Sequence, residues 1–226
     1  MFEERPSRLP GAVVWRRRPG PTTQPQRILP DGCMDLMWYG DRLVVAGPDT
    51  TAWMSTAPRG AAVTGVRFPP GTGPSVFGVP ARELLGQRVP LADLWPAGEV
   101  GRLAEQVSQA EGPGLALERI AAGRHPEPDP LIGEVVTRLR TGATVAGIAE
   151  AIGLGERQLH RRSLAAFGYG PKTLERILRL HRALGLVQRG IPFASVAATA
   201  GYADQAHLAR DVKALAGVPL RELISA

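Results

Sequence analysis

Long hydrogen-bond donors gather twice in this 226-residue chain, each time behind the same local pattern. The first group is Arg157, His160, Arg161 and Arg162; the second is Gln205, His207, Arg210 and Lys213. Residues three and four apart share one face of a helix. Such a face can enter the major groove of double-stranded DNA, where Arg makes two bonds to guanine O6 and N7 and Gln makes two to adenine. Another set of chemical groups lies in the first half. Cys33, Asp35 and Met37 alternate along one strand-like stretch, and Arg67 lies on a second. Cys33 and Met37 sharing a face would permit soft-metal or oxidation chemistry, although a small thiol buried beside a core Met is the simpler account. Asp35 and Arg67 are the polar groups suited to orient a ligand, with Trp38 as an apolar wall.

Both donor groups follow a near-repeat. IAEAIGLGERQLHRR (148–162) and VAATAGYADQAHLAR (196–210) each read as a small-residue helix, a Gly, an apolar residue, a short polar turn and a helix with Leu-x-Arg. Gly153 and Gly201 lie 48 residues apart, whereas Arg161 and Arg210 lie 49 apart, so the second turn has one extra residue. This is the grammar of a helix-turn-helix: compact Ala149, Ile152, Ala197 and Ala200 where helices approach, and Gly to end the first helix left-handed. Between the units, KTLERILRLHRALGLVQ (172–188) reads as a long joining helix with Leu174, Ile177, Leu178 and Leu184 buried. Arg176, Arg179 and Arg182 are expected on its outer face, as a solvated stripe or a phosphate clamp. Two units joined this way would read groove segments roughly one turn (~34 Å) apart.

Charge divides the chain in the same place. From Leu131 to the end there are thirteen basic side chains against seven acidic, whereas residues 1–130 hold fourteen of each. Pro alternates through RHPEPDP, so residues 124–130 are read as a linker between a domain at 1–123 and one at 131–226. The second should be all-α. The first reads as β-rich: CMDLMWY (33–39) places Met34, Leu36 and Trp38 on one face and Cys33, Asp35, Met37 and Tyr39 on the other. RLVVA follows across a Gly40-Asp41 hairpin, and AAVTGVRF (61–68) fits a further strand before the connection PPGTGP. A short helix is expected around ARELL after Pro80, with further helices at 98–110 and 114–123.

Several classes drop out. One cysteine excludes an internal disulfide or a Cys-rich zinc site, and residues 1–124 lack the His ligands of a metal cupin. His160 and His207 stand in separate units with no nucleophile spaced for a triad, so no catalytic residue, metal or cofactor is assigned. No apolar run approaches the ~20 residues of a membrane span, and MFEERPSRLP does not resemble a signal peptide; the expectation is a cytoplasmic protein.

The string GYADQAHLARDVKALAGVPLREL is similar to the second unit of the DNA-binding domain of AraC/XylS bacterial transcriptional regulators, and the resemblance covers about 131–226. It implies DNA as partner, with base contacts falling on Arg157, His160 and Arg161 in the first unit and on Gln205, Ala206 and Arg210 in the second. Lys213 is added from the helix face itself. Ser163 and Val212 depart from the family's Phe, and Gly155 from its Ser-like N-cap. Ala206 offers only apolar contact, for example to a thymine methyl. In such proteins the first domain binds a small effector, pairs two chains, or both, and RNA polymerase is a further partner. The stretches ILPDGCMDLMWYGDRLVVAGPDT, GVRFPPG and VPLADLW resemble a β-rich domain fused to these readers, by fold analogy a shortened cupin-like half-barrel with flanking helices. The fold class expected is therefore α+β. Two rivals remain: a constitutive DNA-binding or adaptor protein without an effector, and an enzyme with its site around Cys33 or Asp35.

Overall fold

The computed structural model describes residues 2–18, 25–55, 62–124 and 129–225. Among the described residues, eight strands lie in the first half: β1 (Phe2–Pro6), β2 (Val13–Arg17), β3 (Gln26–Ile28), β4 (Met34–Tyr39), β5 (Arg42–Ala46), β6 (Trp53–Ser55), β7 (Val63–Phe68) and β8 (Arg88–Pro90). Six form one antiparallel sheet in the order β1-β2-β7-β4-β5-β8, and β3 pairs with β6 as a separate small sheet. The alternation read along 33–39 sorts β4 correctly. Met34 and Leu36 are buried, and Trp38 packs beside them against the first hydrophobic core. Helices α2 (Ala97–Gln109) and α3 (Pro113–Ala122) cover that face, burying Val107, Leu117, Ile120 and Ala121. Phe68 and Phe77 meet edge to face at 5.6 Å inside this core, and Trp95 donates 3.1 Å to the Phe77 carbonyl.

Two local expectations change. Pro80 precedes a 3-10 turn (Ala81–Leu84) rather than opening an α-helix, and the Pro/Gly-rich connection runs into a short helix α1 (Gly73–Phe77) with Pro74 in its first turn. Pro fixes φ but does not choose between three- and four-residue hydrogen bonding. Ala61, at the start of the expected 61–68 strand, and residues 125–128 of the expected linker lie outside the described residues.

The second half is all helix: α4 (Pro130–Arg140), α5 (Val145–Ala151), α6 (Glu156–Phe167), α7 (Pro171–Gln188), α8 (Phe193–Ala200), α9 (Gln205–Ala216) and α10 (Leu220–Ser225). Their apolar stripes form a second core around Leu174, Ile177 and Leu180 of α7, all fully buried. The two cores are in contact. Leu29 and Leu85 of the β-rich part pack against the helical core, and His181 of α7 donates 2.7 Å to the Pro30 carbonyl.

Candidate functional site

The two repeats end their first helices in the same way. Gly153 and Gly201 have φ of +68° and +87°, the left-handed conformation Gly adopts cheaply. In each unit the next amide then bonds back across the helix end, Leu154 to the Ala149 carbonyl and Tyr202 to that of Ala197, both at 2.9 Å. The second helices start differently. Asp204 caps α9 by accepting 2.6 Å from the His207 amide, using the extra turn residue, whereas in α6 the Gln158 side chain accepts 3.2 Å from the Gly155 amide. Leu159 and Leu208 anchor these helices in the core, as does Val212. Ser163 is fully buried and its hydroxyl has no partner among the described residues, an unsatisfied polar group in the first unit.

Anchoring one face leaves the other open. Arg157, His160, Arg161, Gln205, Ala206, Arg210 and Lys213 are all exposed. Among the described residues no hydrogen bond or ion pair engages the side chains of Arg157, Arg161, Gln205, Arg210 or Lys213. The remaining donors of the two groups have local partners. The His160 ring lies over the Gly170 bend, where a Cβ would fall 2.7 Å from its Cε1. His207 is half-buried with its ring edge-on to Tyr202 at 5.2 Å, and Arg162 turns towards Asp129 at 3.4 Å.

The arginines of α7 do not form an outer stripe. Arg176 and Arg179 both reach Asp211 of α9, at 2.6 and 3.4 Å, and Arg179 also stacks over the Tyr202 ring at 4.7 Å. Burial, then the nearby Asp211 charge, pushes the Tyr202 hydroxyl up to about 12 despite that arginine. Arg182 donates to the carbonyls of Leu139 and Arg140 at the end of α4 and of Ala200 at the end of α8. Helix-end carbonyls have no partner within their own helix and favour a nearby cation. These three arginines therefore set how the two units sit on the joining helix.

The uncovered face of the six-stranded sheet and the small β3-β6 sheet enclose a cavity of about 590 Å³. Trp15, Met37, Tyr39, Val44 and Trp53 give it an apolar wall, and Asp35, Arg17, Arg27, Arg67 and Arg88 bring charge to it. Gly65 sits opposite Trp15, and a Cβ there would fall 2.5 Å from the indole, so the ring lies flat across β7. That pose aims Trp15 Nε1 at Asp35 Oδ1, 2.5 Å away. Asp35 and Arg67 face each other in register on β4 and β7, with Arg67 Nε 3.4 Å from both Asp35 and Asp31. Burial raises the Asp35 carboxyl above its ordinary range, against the pull of Arg67. Burial also opposes the Arg67 charge, but Asp35 and Asp31 outweigh it and raise its pKa.

Trp38, expected beside Asp35 and Arg67, is on the opposite face of β4 and packs into the first core, as the period of two requires. Cys33 and Met37 do not share a pocket. Met37 lines the cavity, whereas Cys33 lies in a crevice against Arg140, His181 and Arg182. Arg27 and Arg88 carry no readable signal in the sequence, because β3 and β8 are three residues long and show no alternation. Among the described residues no group of three His, Cys, Asp or Glu side chains is placed to hold a metal, and no helix is long and apolar enough to cross a membrane.

Residues 148–225 match a helix-turn-helix domain family, the AraC-type reader, and residues 12–90 match a domain family of unknown function, DUF6597. No curated protein matches the chain in sequence. Solved structures with the same fold include an apo lysine-to-alanine variant of ToxT from Vibrio cholerae strain SCE256 (TM-score 0.51, 11% identical, covering 97% of this chain and 99% of that one). ToxT in a P21 crystal form gives a TM-score of 0.50 at 11% identity over 99% of this chain and 98% of that one. ToxT from Vibrio cholerae O395 bound to (E)-4-(8-methylnaphthalen-1-yl)but-3-enoic acid also gives 0.50, at 9% identity over 99% and 98%. The chain thus carries an AraC-type helix-turn-helix DNA-binding domain at its C-terminus, with a DUF6597 domain before it.

Proposed function

We propose that the chain reads an operator through Arg157, Arg161, Gln205, Ala206 and Arg210, with Lys213 on phosphate, and that a small molecule in the inter-sheet cavity modulates this reading. One observation supports the base-reading set above the rest. While Arg162, Arg176, Arg179 and Arg182 have partners within the protein, the side chains of Arg157, Arg161, Gln205 and Arg210 have none among the described residues and stand exposed on the two second helices. His160, held over Gly170, serves as a backbone-facing neighbour of Arg161 rather than a base reader. The effector would be amphipathic, with an apolar body against Trp15, Met37 and Trp53 and an anionic end among the arginines. The acid bound by ToxT has that chemistry. Catalysis by Cys33 is not part of the proposal, because burial, then the charge of Asp31, pushes its thiol well above the ordinary range and away from the thiolate.

The test is a duplex selected from a random pool with the full chain, followed by titration of variants. Arg161→Ala and Arg210→Ala should each lose about 1–3 kcal/mol on the selected site and relax base preference at one position. Equal losses on selected and unrelated duplexes would reduce both to phosphate contacts.

A further inference from the structure

The small sheet that walls the cavity also grips the second reading helix. Arg27 of β3 lines the cavity, and its Nη1 donates 2.7 Å to the carbonyl of Ala216, the last residue of α9. The Ala52 amide, just before β6, donates 2.7 Å to the neighbouring Leu215 carbonyl. Both acceptors belong to the helix end that has no intrahelical partners and carries the negative end of the helix dipole. The N-terminal half of the same helix presents Gln205, Ala206 and Arg210. One short sheet thus touches the effector cavity on one side and a base-reading helix on the other. It is itself fastened to the main sheet, through Arg17 donating to the Ser55 hydroxyl at 3.3 Å and through Arg88 stacked 4.5 Å above Trp53.

The cavity arginines differ in what holds them. Asp35 and Asp31 neutralise Arg67, and Asp49 takes Arg88 through two bonds at 2.6 and 2.9 Å. The bond that holds Arg27 goes to a neutral carbonyl. A carboxylate or phosphate accepts from a guanidinium about twice as strongly as a neutral acceptor does. An anionic ligand end is therefore a competitor for Arg27 that Ala216 cannot match, whereas the charges of Arg67 and Arg88 already face carboxylates.

We propose that Arg27 is a latch shared between the cavity and the second reading helix: in the empty protein it holds the end of α9, and an anionic ligand draws it away and loosens that hold. This rests on the cavity being an effector site, as proposed above. A ligand shifts such a balance only by its difference in affinity for the two states, and DNA that prefers the loosened state must tighten the ligand by the same factor.

The test is hydrogen–deuterium exchange on the full chain, wild type against Arg27→Ala, each alone and with millimolar decanoate or the methylnaphthalenyl-butenoic acid. Thermal shift reports whether either probe binds. Without probe, Arg27→Ala should raise exchange several-fold in segments 48–55 and 211–218 while leaving 34–46 unchanged. A bound probe should do the same to wild type and add nothing to the variant. Arg27→Lys, which keeps the charge with fewer donors, should fall between the two and stands in if the Ala variant does not fold. Unchanged or uniformly raised exchange in the unliganded variants overturns the latch. A probe that stabilises the protein without loosening 211–218 overturns ligand control of Arg27 but leaves the cavity as an effector site. If neither probe stabilises the protein, the anionic effector fails and ligand control falls with it, even where Arg27→Ala loosens α9.

Discussion

Glu118 shows how much one side chain can carry. It is 3% exposed on α3, yet its carboxylate accepts from Arg5 at 2.6 Å, from the Ser7 hydroxyl at 2.7 Å and from the Arg8 amide at 2.8 Å. Burial opposes its charge, but the three sets of donors outweigh burial and hold the group down to about 2, from an ordinary 4.5. Because the folded value lies below the unfolded one, the stabilisation is complete above about 4.5 and is lost as pH falls towards about 2. Glu118→Gln should therefore cost roughly 1–3 kcal/mol at pH 7, discounted because Arg5 is half exposed. In urea unfolding the gap between variant and wild type should shrink by pH 3; an equal gap at both pH values would assign the effect to packing alone. Nothing in the sequence marks Glu118, since its partners lie more than 100 residues away. Asp35 and Arg67 were legible for the opposite reason. Each sits on a strand whose alternation is readable, and pairing in register brings them together. The same alternation, taken strictly, would have removed Trp38 from the ligand set.

At the scale of elements, the repeat was legible because its markers are local: a left-handed Gly, small residues before it, and an apolar residue after it. The joining helix was half legible. Periodicity identified the apolar stripe of α7, but it cannot say what the polar side meets, and there Arg176 and Arg179 meet a carboxylate from another helix. Asp211 is 5% exposed, Arg179 is 15% exposed at its side chain and Arg176 43%. Asp211→Ala leaves Arg179 without its buried partner, while Arg176 can rehydrate, so the loss should be about 1–3 kcal/mol rather than the ~3–5 of a fully buried pair. The second unit would then sit less firmly on α7. Affinity for a selected duplex should fall several-fold in fluorescence anisotropy, with binding to unrelated duplex nearly unchanged, because phosphate contacts tolerate small reorientations better than paired base contacts. Equal losses on both duplexes would show that Asp211 serves stability and not reading geometry.

For the whole molecule, the excess of thirteen basic over seven acidic groups pointed to the DNA-reading half, yet much of it is consumed internally. Arg138, Arg162, Lys172, Arg176 and Arg179 have carboxylate partners, and Arg182 is spent on carbonyls. Net charge located the function but overstated the surface left for DNA. What the sequence concealed altogether is the seam between the halves, built from loop residues without period. At Gly71 (φ +88°) a Cβ would fall 2.4 Å from Ile132 Cγ2 of α4 and 3.0 Å from the Phe167 ring of α6. Gly71→Ala should therefore force the seam apart and cost more than ~1 kcal/mol through backbone strain alone. All four tryptophans lie in residues 1–123, so indole fluorescence follows the β-rich part, whereas ellipticity at 222 nm follows chiefly the helices of the second half. In wild type the two thermal midpoints should coincide, since the cores touch and unfold as one cooperative body. In Gly71→Ala they should separate, the helical half melting at its own temperature. Coincident midpoints in the variant would mean that the Gly71 contact is not what couples the halves, and that the contacts of Leu29, Leu85, His181 and Arg27 suffice.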